Sequence, residues 1–373
     1  MVLEPATREF NIGRGGGALP YTMYMVGFGL GNIFLGKWVD RTGIAVLALL
    51  AAFSLPTGLY LASMANGLWP FVITLTLLCG FLGGAFAFGP LVADISKWFD
   101  KRRGLAVGIV ISGSYVAGAL WPPILQVWFD EYGWRQSFVY LATVCAATML
   151  PLSLIYFCQT SSGDHNNLSK NATASQRPLG LSTKQLQCTL CFAGIGCCAA
   201  MAMPQIHIVP HAIDLGFDAR DGANMLSLML GFGIISRISS GWISDKIGGV
   251  RTLLLGSGLQ GLVIFSFLFI DTLTGLYAVS IAFGLSQGGI VPSYTLIIRK
   301  FFPANEAGSR IGLVFVSTIG GMALGGWMAG MLFDLTGSYT VSFINAIVFN
   351  AINFGIAVFI QIKLNQHDGL IST

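Results

Sequence analysis

The chain runs to 373 residues, 54% of them apolar and only 10% charged, with a formal net charge of +4. Soluble domains carry about a quarter charged residues, and here 27 Phe stand against 20 Lys and Arg, too little polar side chain to cover a soluble globule. A water-soluble enzyme and a disordered chain are excluded, no nucleic-acid partner is expected, and the fold class is an all-α polytopic membrane protein.

A membrane-crossing helix needs about 20 mostly apolar residues. Eleven such runs are present, at 18–38, 44–65, 69–94, 104–128, 135–157, 185–208, 222–244, 251–271, 274–298, 308–333 and 340–362. Met1–Phe10, with Glu4, Arg8 and Glu9 and no apolar core, is not expected to act as a signal peptide. The 48 glycines are frequent enough to let helices approach closely in lipid. Pro122-Pro123 predicts a kink in the span 104–128. The connectors are short except Gln159–Lys184, which is polar and rich in Ser and Asn. It divides the chain into an N-terminal bundle (1–158), a linker loop (159–184) and a C-terminal six-helix bundle (185–373). The sequon Asn171-Ala172-Thr173 in that loop is expected to be idle. Cys188-x-x-Cys191 has no His, Asp or Glu within a turn, so it reads as apolar lining and no metal or cofactor is expected.

The two bundles repeat. Gly36-x-x-x-Asp40-Arg41-x-Gly43 returns as Gly241-x-x-x-Asp245-Lys246-x-Gly248, an offset of 205. Lys97-Trp98-Phe99 returns as Lys300-Phe301-Phe302, and Phe129-Asp130-x-x-Gly133 as Phe333-Asp334-x-x-Gly337, at offsets of 203 and 204. Such a duplication is the parallel repeat of a large transporter class. Pro5 falls opposite Pro210, so the partner of the span 185–208 should lie before residue 1. The register predicts a twelve-span protein whose first span, about 25 further residues, is missing through truncation or a misplaced start.

Fifteen Lys and Arg lie on one side of the spans and four on the other, with Arg237 inside one. The positive-inside rule makes the richer side cytoplasmic, including the central loop and the C-terminus. Arg237 is eight residues before Asp245, about 12 Å from the helix end and too deep for easy snorkelling. A guanidinium there calls for an anion and suits a carboxylate bidentately; the structural alternative is an Arg capped by backbone carbonyls or bridging helices. Tyr21, Tyr24, Asn32, Tyr115, Gln205, Asn224, Gln287, Tyr294 and Asn350 are the polar groups within spans. Some of them must line a central cavity and others bridge helices. Tyr294, after Gly288-Gly289, is favoured as a second substrate contact, with Asn32, Tyr24 and Gln205 beside it. Asp94 and His207 are candidates for proton handling. The alternatives are a helix-end pair of Asp94 with Lys97 or Arg103, and interfacial contacts for His207 and His211.

The duplicated Gly-x-x-x-Asp-Arg/Lys-x-Gly signature resembles the major facilitator superfamily over essentially the whole chain. The resemblance implies that Gly36, Asp40, Arg41, Gly241, Asp245, Lys246 and Arg251 form a conformational motif that locks one state of the carrier. Ile44 follows Gly43 where the second copy has basic Arg251 nearby. Within the superfamily, three stretches resemble the monocarboxylate and oxalate/formate antiporter branch. These are Gly89-Pro90 with Lys97–Gly104, Gly288–Tyr294 with Arg299–Pro303, and Arg237 four residues before Gly241. There the Arg at this place binds the substrate carboxylate. Animal members also carry an Asp one turn earlier, where this chain has Gly233. Oxalate-type members carry a Lys in the eleventh helix, and 308–333 contains none, which disfavours dicarboxylates.

Together these features predict a secondary transporter that moves a small organic anion, above all a monocarboxylate, by alternating access with proton coupling or exchange. It should be a functional monomer in the lipid of a bacterial inner (plasma) membrane. The competing readings are an exporter of larger amphipathic or drug-like anions and a non-transporting receptor or assembly partner. Asp40→Asn or Asp245→Asn should slow transport several-fold while leaving substrate affinity nearly unchanged, because only the conformational equilibrium is disturbed. Parallel binding and flux measurements check this, and a large loss of affinity would move these residues into the substrate site.

Overall fold

The computed structural model describes residues 3–86, 91, 103–158 and 180–371. Asp94, the sequon and most of the linker lie outside them, as do the side chains of Gly36, Asp40 and Arg41. All regular structure among the described residues is helical. The helices are α1 (Leu3–Phe10), α2 (Arg14–Thr42), α3 (Ile44–Ser63), α4 (Leu68–Thr74), α5 (Arg103–Cys158), α6 (Thr183–Asp214), α7 (Ala219–Ile247), α8 (Gly249–Ser266), α9 (Leu273–Gln287), α10 (Ile290–Phe301), α11 (Ala304–Thr336) and α12 (Tyr339–Ile371). A π-helical stretch, Leu75–Leu82, and a 3-10 turn, Gly83–Phe86, continue α4.

Nine helical segments among the described residues are long and apolar enough to cross a membrane, and Leu68–Leu82 is a shorter apolar one. One of the nine, Ser112–Tyr156, is two limbs of α5 that meet at Gly133, so these segments account for all eleven apolar runs. Phe192, Leu262 and Phe269 are 64%, 67% and 69% exposed, an outer surface that suits acyl chains rather than water. Pro122 and Pro123 lie within the first limb; Gly133, at φ 74° and ψ 161°, is the non-helical residue in α5 and separates the runs 104–128 and 135–157. Only a residue without Cβ enters that region freely.

The repeat is carried into the backbone. Arg14 and Ala219, Ile44 and Gly249, and Leu68 and Leu273 begin matching helices 205 residues apart. One pair of turns matches as well, Gly43 at φ 81° and ψ 163° and Gly248 at φ 84° and ψ 160°; Gly133 and Gly337 share a positive φ, 74° and 69°, but differ in ψ, 161° against 10°. These pairs mark the two faces of the bundle. Within the second part, α11 lies on α6 with almost no side chain between them, since a Cβ at Gly325 would fall 2.7 Å from Ala199 Cα. Its continuous buried core runs from Leu186 to Ile360. A separate core in the first part gathers Ala62, Ala65, Phe71, Trp134 and Phe138. That cluster is closed by Glu9, which accepts from Trp134 and Arg135; the Arg135 hydrogen bond holds its carboxyl below the usual range.

The two parts meet along α2 against α11 and α5 against α7. At the Gly133/Gly337 face the repeated aspartates cross between them. Asp334 accepts the Arg14 and Gly15 backbone N–H groups, both at 2.7 Å, and so caps the start of α2. Asp130 accepts from Arg220 Nε at 2.7 Å, at the start of α7. Arg14 also forks onto Asp214 and lies 3.9 Å over the Phe333 ring. Further in, Thr22 Oγ1 donates to the Ala323 carbonyl at 3.2 Å.

Asp334→Ala leaves the first amides of α2 without a cap, a loss of about 1–2 kcal/mol. An equilibrium that opens this face should shift by roughly 5- to 30-fold. The check is the labelling rate of Thr22→Cys by a membrane-impermeant maleimide, with and without Asp334→Ala. An unchanged rate would show that the aspartate does not hold the face shut.

Candidate functional site

Arg237 projects from α7 at the seam with α5. Its Cζ lies 4.3 Å from the ring centroid of Tyr115, and its buried Nε has no hydrogen-bond partner among the described residues. The backbone beneath it is fixed by the break between α9 and α10. That break frees the Gly288 N–H, which donates to Ser236 Oγ at 3.2 Å, while Ser236 Oγ donates to the Leu285 carbonyl at 2.6 Å. In lipid such freed backbone groups need a local partner, and a serine beside the arginine supplies it. Glycine is required at the junction because a Cβ on Gly288 would lie 2.6 Å from Arg237 N and from the Gly233 carbonyl.

Above this point a cavity of about 400 Å³ opens between the parts, lined by Gly17, Ala18, Pro20, Tyr21, Tyr24, Leu75, Gln205, Ile206, Leu226 and Leu230. Arg237 is seven residues on from Leu230, about 10 Å further along α7 toward the Gly43/Gly248 face. The structure therefore brings Tyr24 and Gln205 together in one cavity and sets Arg237 two turns below it. Gln205 Nε2 donates to Gln287 Oε1 at 2.6 Å, and the buried Nε2 of Gln287 has no partner among the described residues. Gln287 was visible in the sequence only as one polar residue among nine; its placement next to Gly288 and the Arg237 backbone depends on the α9/α10 break.

Other sequence-derived candidates lie apart from this arrangement. Asn32 donates from Nδ2 to the Phe28 carbonyl of its own helix at 2.8 Å. Tyr294 is 2% exposed, and its hydroxyl donates to Asn353 Oδ1 at 2.7 Å, within the core of the second part. Asn353 in turn donates to Ser257 Oγ at 2.7 Å, so this tyrosine ties α10 to α12 and α8. His207 is buried with both ring nitrogens engaged, by Tyr339 Oη and the Gly326 carbonyl, each at 2.9 Å. The carbonyl can only accept, which assigns the proton to Nε2. Gly241, Asp245, Lys246 and Arg251 are all exposed, and the Lys246 ammonium stands 3.6 Å over the Trp242 ring.

Two helical parts related by a repeat, meeting on two helix pairs around a cavity, with a half-buried arginine at the seam, define a membrane transporter rather than an enzyme. The chain belongs to the Major Facilitator Superfamily, whose profile matches residues 1–309. It is similar to Monocarboxylate transporter 13 of Bos taurus, at 28% identity over 95% of this chain and 80% of the relative. It is also similar to Monocarboxylate transporter 12 of Homo sapiens, at 26% identity over 89% of this chain and 70% of the relative. Monocarboxylate transporter 11 of Homo sapiens is 28% identical over 84% of this chain and 67% of its own length.

Gly288→Ala should push α9 off the backbone of α7 and destabilise the carrier by about 1–3 kcal/mol, the usual range for an overpacked contact. Thermal unfolding of the detergent-solubilised protein, followed by size-exclusion chromatography, should show a Tm several degrees lower. An unchanged Tm would mean that the α9/α10 junction yields without strain.

Proposed function

We propose that this chain is a secondary active transporter of small organic anions, monocarboxylates in particular, working by alternating access of the bundles 1–158 and 185–373. The observation that supports this reading is Arg237, an intramembrane guanidinium at the seam whose Nε lacks a partner among the described residues. A cation in that setting is costly without an anion, and its planar fork offers a carboxylate two parallel N–H donors. The printed names of the relatives point to the same substrate class. Tyr24 and Gln205 add polar contacts along the path in this proposal, while Asn32 is left outside it because its amide donates to its own helix. Tyr294 is left outside the substrate set because its hydroxyl is already donated. The paired motifs around Asp40 and Asp245 bias the conformational equilibrium, and coupling is by proton, through Asp94 or His207, or by exchange of one anion for another.

In the same reading the chain acts as a single copy. The Lys- and Arg-rich Gly43/Gly248 face, with the central loop and the C-terminus, is cytoplasmic. The membrane is a plasma membrane; a bacterial origin draws no support from relatives that are animal proteins.

Counterflow of radiolabelled lactate or pyruvate in proteoliposomes tests the proposal. A monocarboxylate carrier exchanges label, an exporter of larger amphipathic anions ignores these acids, and a receptor binds without accumulation. Arg237→Lys keeps the charge but loses the fork, so affinity should fall sharply. Arg237→Ala should abolish uptake, since breaking a buried pair costs about 3–5 kcal/mol, more than a hundredfold in binding. Immunoblots of the membrane fraction separate this from misfolding. Wild-type uptake of every tested carboxylate by a normally inserted Arg237→Ala protein would sink the proposal.

A further inference from the structure

We infer that Tyr115, supplied by α5 of the first part, is a positioning residue for Arg237: its ring holds the guanidinium by a cation–π contact across the seam and leaves Nε to the substrate carboxylate. This rests on the proposed role of Arg237. Three observations carry it. The guanidinium carbon lies over the Tyr115 ring, 4.3 Å from its centroid, within cation–π range. The Nε is buried and unpartnered among the described residues. A bidentate carboxylate takes two guanidinium N–H groups, and Nε is one that the ring contact leaves unpaired.

The place the ring occupies has been kept open by the sequence. One turn before Arg237 stands Gly233, where a Cβ would lie 2.7 Å from Tyr115 Cδ1 and closer still to Cε1. Any side chain at 233 would push the ring away. Just beyond, the two helices are locked together. Ser227 Oγ donates to the Ala119 carbonyl, and a Cβ on Gly118 would sit 3.4 Å from Leu230 Cγ. Tyr115 is thus held one turn from two fixed contacts, and its ring cannot drift without opening the seam. A carboxylate in place of the ring would occupy the fork and contend with the substrate. The aromatic ring holds the cation without pairing its Nε. Because ring and guanidinium belong to different parts of the chain, the oriented fork exists only while α5 and α7 are closed at this level.

The test is initial-rate uptake of labelled lactate or pyruvate in proteoliposomes, with KM and Vmax determined separately. Tyr115→Phe keeps the ring and should retain a KM within about twofold of wild type. Tyr115→Leu should raise KM about tenfold with little change in Vmax, as expected for losing a desolvated cation–π contact. Gly233→Ala alters neither side chain but displaces the ring, and should raise KM to a similar extent. It also serves where Tyr115→Leu fails to insert. An unchanged KM in Tyr115→Leu or Gly233→Ala, with or without a fall in Vmax, overturns the inference if Arg237→Ala has lost uptake in the same assay. If Arg237→Ala transports normally, the assignment of Arg237 itself is what has failed.

Discussion

An apolar solvent leaves the backbone no partner but itself. Nearly every other feature of this protein follows from that constraint. It makes the chain helical throughout its described length and confines the departures from helix to places with a local remedy. Gly43, Gly248, Gly133 and Gly337 turn the chain at the two faces, where positive φ is reached without a Cβ clash. The break at Gly288, deep inside the bundle, is repaired by the hydroxyl of Ser236. Arg237, the intramembrane cation, is the next residue along. A helix end buried in the membrane and a charge buried in the membrane therefore share one piece of scaffolding.

The same solvent decides how the parts adhere. Lipid gives no hydrophobic reward for helix association, so contact depends on close approach and on polar groups that find one another. Small residues let α6 and α11 touch backbone to backbone, and the second part gains an extensive core. The seam between the parts is different. It holds a few hydrogen bonds, a cavity, and charged groups collected at one end. An interface of that kind can be parted and remade, which a rocking mechanism requires.

Much of the fold was legible before any coordinates. Apolar runs located the long helices among the described residues, and three short repeats gave a register that the helix starts reproduce to the residue at Arg14 and Ala219. The site was legible in part. Arg237 stood out because an unpaired cation in an apolar run is rare and costly. What the sequence could not reveal were distances between helices remote in the chain. Tyr115 and Gln287 were two polar residues among nine, and only packing selects them. Tyr294 looked equally fit for a substrate contact, but Asn353, 59 residues away, takes its hydroxyl.

The crossing of the repeated aspartates has a consequence for how the duplicated gene could diverge. Asp130 reaches the start of α7, and Asp334 reaches the start of α2. In a symmetric dimer this would be an isologous contact, each copy presenting the patch and its complement at once. Fused into one chain, the two patches no longer mutate together. Asp334 now holds backbone amides that any residue provides, whereas Asp130 holds the side chain of Arg220. The first contact tolerates drift at the helix start and the second does not. The ancestral symmetry thus survives in position while its chemistry has already become lopsided.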